Sequence, residues 1–155
     1  FGVCYRYAVS REEAEDFLQE TFITVFRKLG QWKGDGELGA WIRKIAVNTS
    51  LNGIRARQRF TENINIIPID NISYHAVSQE LNSEKELMEL IHHLPLGYKT
   101  VFNLYAIEGY SHEEIGKLLD IKPATSRSQF SRARELLMKK LSSDQIPKNN
   151  DGQVG

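Results

Sequence analysis

The chain has 155 residues, 41% hydrophobic and 26% charged, with 20 Lys or Arg against 20 Asp or Glu. These proportions suit one ordinary globular domain, or two small ones, able to bury a core. No apolar run approaches the roughly 18 residues of a membrane span, and the lone cysteine, Cys4, excludes an internal disulfide. Cys4 is expected to pack in a core, and a chain that uses one cysteine fits a reducing cytoplasm. No signal peptide is expected from these residues, and the sequence begins at Phe1 rather than Met, as a fragment or trimmed chain would.

The zero net charge argues against a nucleic-acid partner only until its distribution is followed. Between Leu38 and Thr61 stand Arg43, Lys44, Arg55, Arg57 and Arg59 with no acid. Residues 60 to 90 hold Glu62, Asp70, Glu80, Glu84, Glu86 and Glu89 against Lys85 alone. From 122 to 140, Lys122, Arg127, Arg132, Arg134, Lys139 and Lys140 face only Glu135. Two basic blocks flank an acidic middle, and local charge sets local phosphate affinity.

In chain order, Ala14, Phe17, Leu18, Thr21, Phe22, Val25, Phe26 and Leu29 recur at helical spacing, which predicts a helix from Ser10 to Leu29. Ser10 suits its cap, and Glu12, Glu13, Glu15 and Asp16 suit its positive start. "GQWKGDGELG" breaks it. A second helix is expected from about Leu38 to Arg59, burying Leu38, Ile42, Ile45, Ala46, Thr49 and Gly53. At roughly 100° per residue, Lys44, Asn48, Asn52, Arg55 and Arg59 form a separate polar stripe, with Trp41 on the border. Residues 61 to 83 hold breakers and little pattern, and read as a linker whose "IIPI" at 66–69 is apolar enough to dock. The helical pattern returns at Ser83 with Leu87, Leu90, Ile91 and Leu94, and Pro95 stops it. A further helix runs through Val101, Phe102, Leu104, Tyr105 and Ile107 to Gly109. Ser111 and Glu114 form an S-x-x-E capping box ahead of Ile115, Leu118 and Leu119, and Pro123 opens a last helix. That helix is expected to bury Phe130, Ala133, Leu137 and Leu141; residues 144 to 155 read as a flexible tail. The chain reads as all-α, in two small helical domains joined by a linker.

The last two helices match a helix-turn-helix: a capped first helix, a short turn around Asp120 to Lys122, then a second helix. With Phe130 inward, Thr125, Ser128, Gln129 and Arg132 project outward near its start. Such a helix can read the major groove, Gln suiting adenine and Arg suiting guanine or phosphate.

"EAEDFLQETFITVFRKL" followed by "GELGAWIRKIAVNTSLNGIRARQR" resembles region 2 of bacterial RNA polymerase sigma factors of the sigma-70 family, in the extracytoplasmic-function (ECF) class. "IHHLPLGYKTVFNLYAIEGYSHEEIGKLLDIKPATSRSQFSRAREL" resembles region 4. Together they cover residues 3 to 141 in the family's order. The resemblance implies region 2 over residues 1–60 and region 4 over 84–143. Family members usually begin with a helix upstream of "FGVCYRY", so region 2 is expected to be N-terminally incomplete. The resemblance further implies that Asp16, Gln19, Glu20 and Phe22 contact core RNA polymerase. It makes Trp32, Lys33, Trp41, Lys44, Asn48, Asn52, Arg55 and Arg59 the surface for the −10 strand, where unstacked bases need a pocket and phosphates need cations. Lys122, Thr125, Ser126, Arg127, Ser128, Gln129 and Arg132 would face the −35 duplex. "KPATSRSQ" departs from the Gly-Thr-Val that many relatives carry before a Ser-Arg pair, so Ala124, Ser126 and Gln129 leave the base preference open.

The implied role is promoter recognition with core polymerase and promoter DNA as partners, together with an anti-sigma factor of the kind that often restrains ECF members. No catalytic residue, cofactor, metal or small-molecule substrate is implied. His92-His93 does not make a metal pair, since adjacent helical residues diverge and neither has a ligand at i+4. The alternative is a free-standing helix-turn-helix regulator, which would leave the acidic helix and basic stripe of the first domain without a role. The linker reading predicts that limited proteolysis of the free protein cuts first between Thr61 and Asn82; early cuts within the flanking helices would contradict it.

Overall fold

The computed structural model describes residues 1–63 and 83–144, and within it the chain divides into two compact units, Phe1–Gln79 and Glu80–Gly155. The "IIPI" segment and the tail beyond 144 lie outside the described residues, as does most of the expected linker.

Among its described residues unit 1 holds three α-helices: α1 (Gly2–Tyr7), α2 (Arg11–Lys28) and α3 (Leu38–Asn63). Six residues at the chain start are too few to show helical periodicity, and α1 escapes the sequence pattern for that reason. It packs on both α2 and α3, and its Cys4 and Ala8 join Ala14, Phe17 and Ala46 in the core. The Cys4 thiol is buried, 3.9 Å from the Thr21 hydroxyl.

The start of α2 is tied down three ways. The Ser10 Oγ accepts the Glu13 N–H at 3.2 Å, and the Glu13 carboxylate reaches back to the Val9 N–H at 2.7 Å. The other Glu13 oxygen pairs with the Arg57 guanidinium on α3, a partly buried ion pair across 44 residues of chain. Glu15 is instead an exposed helix-surface partner of Arg11 at 2.9 Å. The adjacent Glu12 carboxyl sits below its ordinary pKa, held there by backbone N–H and Ser10 hydrogen bonds.

An expectation about the face of α3 is corrected. α3 buries Ala46, Val47, Ser50, Leu51 and Ile54, whereas Leu38 is exposed and Ile42, Ile45, Thr49 and Gly53 are half-buried. Both sets satisfy helical spacing; α1 packs on α3 as well, so the helix has two neighbours rather than one and a rotated stripe is covered. On α2, the inward row is Ala14, Phe17, Thr21 and Val25, leaving Phe22, Phe26 and Leu29 exposed. The Phe22 and Phe26 rings lie 6.5 Å apart on the outer surface, Phe26 at 72% exposure.

Gly53 sets how closely α2 and α3 cross. A Cβ added there would lie 2.1 Å from Cε1 of Phe17, inside the ring's own volume. The ring therefore lies against bare backbone.

Unit 2 contains α4 (Ser83–His92), α5 (Leu96–Phe102), α6 (His112–Leu119) and α7 (Pro123–Asp144). Leu90, Ile91 and Leu94 meet Ala133 and Leu137 of α7 in its core, with Tyr98, Phe102, Ile107 and Leu136 packed around them. The helix expected to run on to Gly109 does so with a change of winding. Asn103–Ile107 forms a π-turn, closed by the Glu108 N–H donating to the Asn103 carbonyl at 2.9 Å, and Gly109 ends it at φ 77°.

The Ser111–Glu114 capping box is present in both directions and starts α6. Asp120 then takes the left-handed conformation (φ 55°, ψ 47°) that closes the helix. The turn folds back so tightly that a Cβ on Gly116 would lie 2.8 Å from the Ile121 carbonyl oxygen. On α7, Leu141 is 39% exposed rather than buried, and Phe130 is only half-buried. Leu141 lies near the end of the helix, past the last core contact at Leu137. No helix among the described residues is long and apolar enough to cross a membrane.

Gly53→Ala is expected to lower stability by about 1–3 kcal/mol through overpacking against Phe17, read as a lower urea midpoint. Pairing it with Phe17→Leu is expected to recover part of that loss.

Candidate nucleic-acid interface

The helix-turn-helix positions α7 through residues that face α6 rather than solvent. Ser126 lies inward and fully buried, its Oγ sharing a 2.9 Å hydrogen bond with Nδ1 of His112 in the first turn of α6. This corrects its expected place on the DNA-facing surface: three and four residues before Gln129 and Phe130, it falls on the packed side of α7. The Tyr105 ring, from the π-turn, stacks on His112 at 4.3 Å with 9° between planes, and lies 4.6 Å from Phe130. Phe102 closes the cluster 5.7 Å from Phe130. A buried hydroxyl and a shielded imidazole thus satisfy each other under an aromatic roof.

Outward from this cluster the remaining candidates sort unequally. Lys122, Thr125, Arg127, Ser128 and Arg132 are exposed. The Ser128 hydroxyl donates to the Thr125 carbonyl at 2.9 Å. Gln129 is half-buried, its amide lying against Gly97 at the start of α5. The Arg127 guanidinium is 3.5 Å from Glu113 on α6, and that of Arg132 is 3.3 Å from Glu135. His112 and Glu113 are absent from the sequence reading, and Glu135 enters it only as the lone acid of the basic block. The i, i+3 spacing of Arg132 and Glu135 is visible in sequence, but 14-residue pairings across a turn are not.

In unit 1, Lys44, Asn48, Asn52, Arg55 and Arg59 all reach solvent from α3. Arg55 Nη1 donates to Asn52 Oδ1 at 2.8 Å, linking an amide and a cation of that stripe. Arg57 is drawn out of the basic block by Glu13. Lys33 is exposed, while Trp32 and Trp41 are half-buried. The Trp32 indole nitrogen is shielded with no hydrogen-bond partner among the described residues.

Asp16, Gln19, Glu20 and Phe22 are exposed on α2. A groove of about 630 Å³ runs between α2 and α3, floored by Phe17 and Gly53. Asp16 and Glu20 line one wall, and Asn48 and Asn52 the other. Residues assigned to two different partners therefore share one cleft.

Comparison with known proteins accounts for both units. Residues 1–60 match the family model described as Sigma-70 region 2, and residues 84–137 match Sigma-70, region 4. The chain belongs to the sigma-70 family of RNA polymerase sigma factors. Its similarity to the ECF RNA polymerase sigma-E factor of Haemophilus influenzae is 34% identity over 152 residues, covering 90% of this chain and 80% of that protein. The RNA polymerase sigma-H factor of Pseudomonas aeruginosa is 30% identical, over 90% of this chain and 79% of that one. Among solved structures, the sigma factor RpoE of Bartonella quintana, crystallised with the anti-sigma factor NepR, shares the fold. Its TM-score is 0.60 at 21% identity, covering 92% of this chain and 89% of that one. This sigma factor is thus of the ECF class and of the family's general activity, promoter-directed transcription initiation. A regulator built on region 4 alone is not favoured, because region 2 is matched independently.

Ser126→Ala in this sigma factor is expected to lower stability by about 0.5–1.5 kcal/mol by removing the partner of His112. Base preference, read by selection from a randomised duplex pool, is expected to stay unchanged; a changed preference at any position would mean that Ser126 reaches DNA.

Proposed function

We propose that this protein directs core RNA polymerase to promoters by reading the −35 duplex with α7 and holding the −10 strand with the polar face of α3. The observation that carries the reading is the exposed row Thr125, Ser128 and Arg132 on a helix whose inner side is occupied by Ser126, Phe130 and Ala133. Such a row fits base edges in a major groove. Gln129, turned toward Gly97, contributes less to base choice than its position in sequence suggests. Lys122 and Arg127 supply phosphate contacts.

In region 2, Lys44, Arg55 and Arg59 neutralise the backbone of the −10 strand, while Asn48 and Asn52 offer amides to unstacked bases. Lys33, Trp32 and Trp41 complete that surface, Trp32 bringing an indole N–H that has no intramolecular acceptor among the described residues. Asp16, Gln19, Glu20 and the exposed Phe22 dock on polymerase. Acids and an amide beside an aromatic ring suit a partner surface that is basic around an apolar centre.

The protein carries out no bond chemistry; polymerase supplies it. It acts in the cytoplasm, with the template. An anti-sigma factor, as in the complex solved for the Bartonella relative, is a further partner in this reading. The division of labour follows the expected domains, with 1–60 serving polymerase and the −10 strand and 84–143 serving the −35 duplex.

Run-off transcription with core enzyme on a random promoter library tests the whole reading. Recovered start sites are expected to share two sequence elements at a fixed separation. Asp16→Arg combined with Glu20→Arg is expected to abolish those transcripts and core binding while leaving helicity and duplex binding intact. Unchanged core affinity in that variant would remove α2 from the polymerase interface.

A further inference from the structure

Two of the three cations proposed to meet the −35 duplex already face a carboxylate. Arg127 lies 3.5 Å from Glu113 and Arg132 lies 3.3 Å from Glu135, whereas Lys122 has no acidic partner among the described residues. Both contacts are longer than the roughly 2.7–2.9 Å of a strong charge-assisted bond, and all four side chains are more than half exposed. Neither pair locks its arginine, so a phosphate can take the guanidinium. The carboxylate then remains beside the newcomer.

The two acids differ in how easily they can withdraw. Glu135 sits on α7 itself, one turn from Arg132, and its side chain can swing away. Glu113 comes from the first turn of α6, next to His112, whose hydrogen bond to Ser126 fixes that turn against α7. The two rungs are adjacent, His112 to Ser126 and Glu113 to Arg127, each spanning 14 residues. The backbone of Glu113 is therefore held near Arg127 by the partly buried rung beside it, whatever its own side chain does. A phosphate oxygen bound to Arg127 would lie closer to that carboxylate than the screening length of about 8 Å at physiological salt.

We propose that Glu113 limits the affinity of α7 for DNA phosphate, so that the isolated factor does not settle on duplex of arbitrary sequence. Stable engagement then requires contacts made elsewhere, on the bases, on the −10 strand or through polymerase. The proposal rests on α7 being the duplex-binding helix. It concerns a sequence-independent electrostatic cost, because phosphate contacts position a protein without reading sequence.

The test is anisotropy of the full chain on a short mixed-sequence duplex, titrated over KCl, for the wild type and four variants. Glu113→Gln is expected to tighten binding about two- to fivefold, the range that an exposed charge pair commands, and Glu113→Lys to tighten it further. Asp120→Asn neutralises an exposed acid that pairs with no base among the described residues, and is expected to change affinity less than Glu113→Gln does. Arg127→Ala is expected to weaken binding and reduce the salt slope by about one ion. Thermal melts check that each variant is folded, and the two Glu113 variants provide independent readings of the same position. If Arg127→Ala weakens binding but Glu113→Gln leaves it unchanged or weaker, the proposal is overturned while α7 keeps its duplex role. Equal gains from Asp120→Asn and Glu113→Gln would also overturn it, as an effect of overall charge. If Arg127→Ala and both Glu113 variants leave affinity unchanged, the duplex reading of α7 falls, and the proposal with it.

Discussion

A partly buried hydrogen bond decides which side of α7 faces outward. With Ser126 held inward by His112, helical geometry leaves Thr125, Ser128 and Arg132 facing away. Everything around the bond protects it. Tyr105 covers the imidazole, Phe130 and Phe102 extend the aromatic layer, and the turn before α7 is too tight to admit a side chain on Gly116. A hydroxyl buried in such a place without a partner would cost about 1–3 kcal/mol; with one, it selects a single register between two helices. Packing of leucines alone would tolerate small rotations of α7, each of which would turn a different row outward.

Region 2 uses another device for the same end. Glu13 satisfies a backbone N–H at the start of α2 and pairs with Arg57 far along α3. One carboxylate thus fixes a helix end and the relation between two helices. The bare backbone at Gly53 lets those helices approach until the Phe17 ring fills the crossing. The result is a groove whose α2 wall carries Asp16, Glu20, Arg27 and Lys28 and whose α3 wall carries Asn48 and Asn52. In the proposed reading, polymerase and the −10 strand meet there as neighbours. The geometry suits a subunit that must be on the enzyme when it grips DNA.

Much of this was legible in the residue order because it rests on local rules. Ser10 with its acids, the Ser111–Glu114 box, Pro95 and Pro123 mark helix ends by chemistry that acts within a few residues, and the helices begin and end close to them. What escaped depends on partners distant in sequence. The inward stripe of α3 follows from α1, and α1 is too short to announce itself. Ser126 looks like any small polar residue until a histidine 14 positions earlier is placed beside it. Gln129 carries the right chemistry for a base but leans on Gly97. Charge counting marked Arg57 as part of a basic block, and only the folded chain shows it opposite Glu13. Periodicity locates faces; it does not say which neighbour each face will find.

The π-turn at Asn103–Ile107 has a consequence for how such chains can diverge. A π-turn holds one residue more than the α-turn it replaces, and the helix on either side keeps its own winding. Loss of a single residue from this stretch would relax it to ordinary helix without breaking the fold. The stacked ring of Tyr105 would then be carried off His112 by the change of phase, and the roof over the α6–α7 joint would go with it. Length variation at this one turn is thus a route by which a lineage could loosen or re-aim α7 while every residue of that helix stays the same.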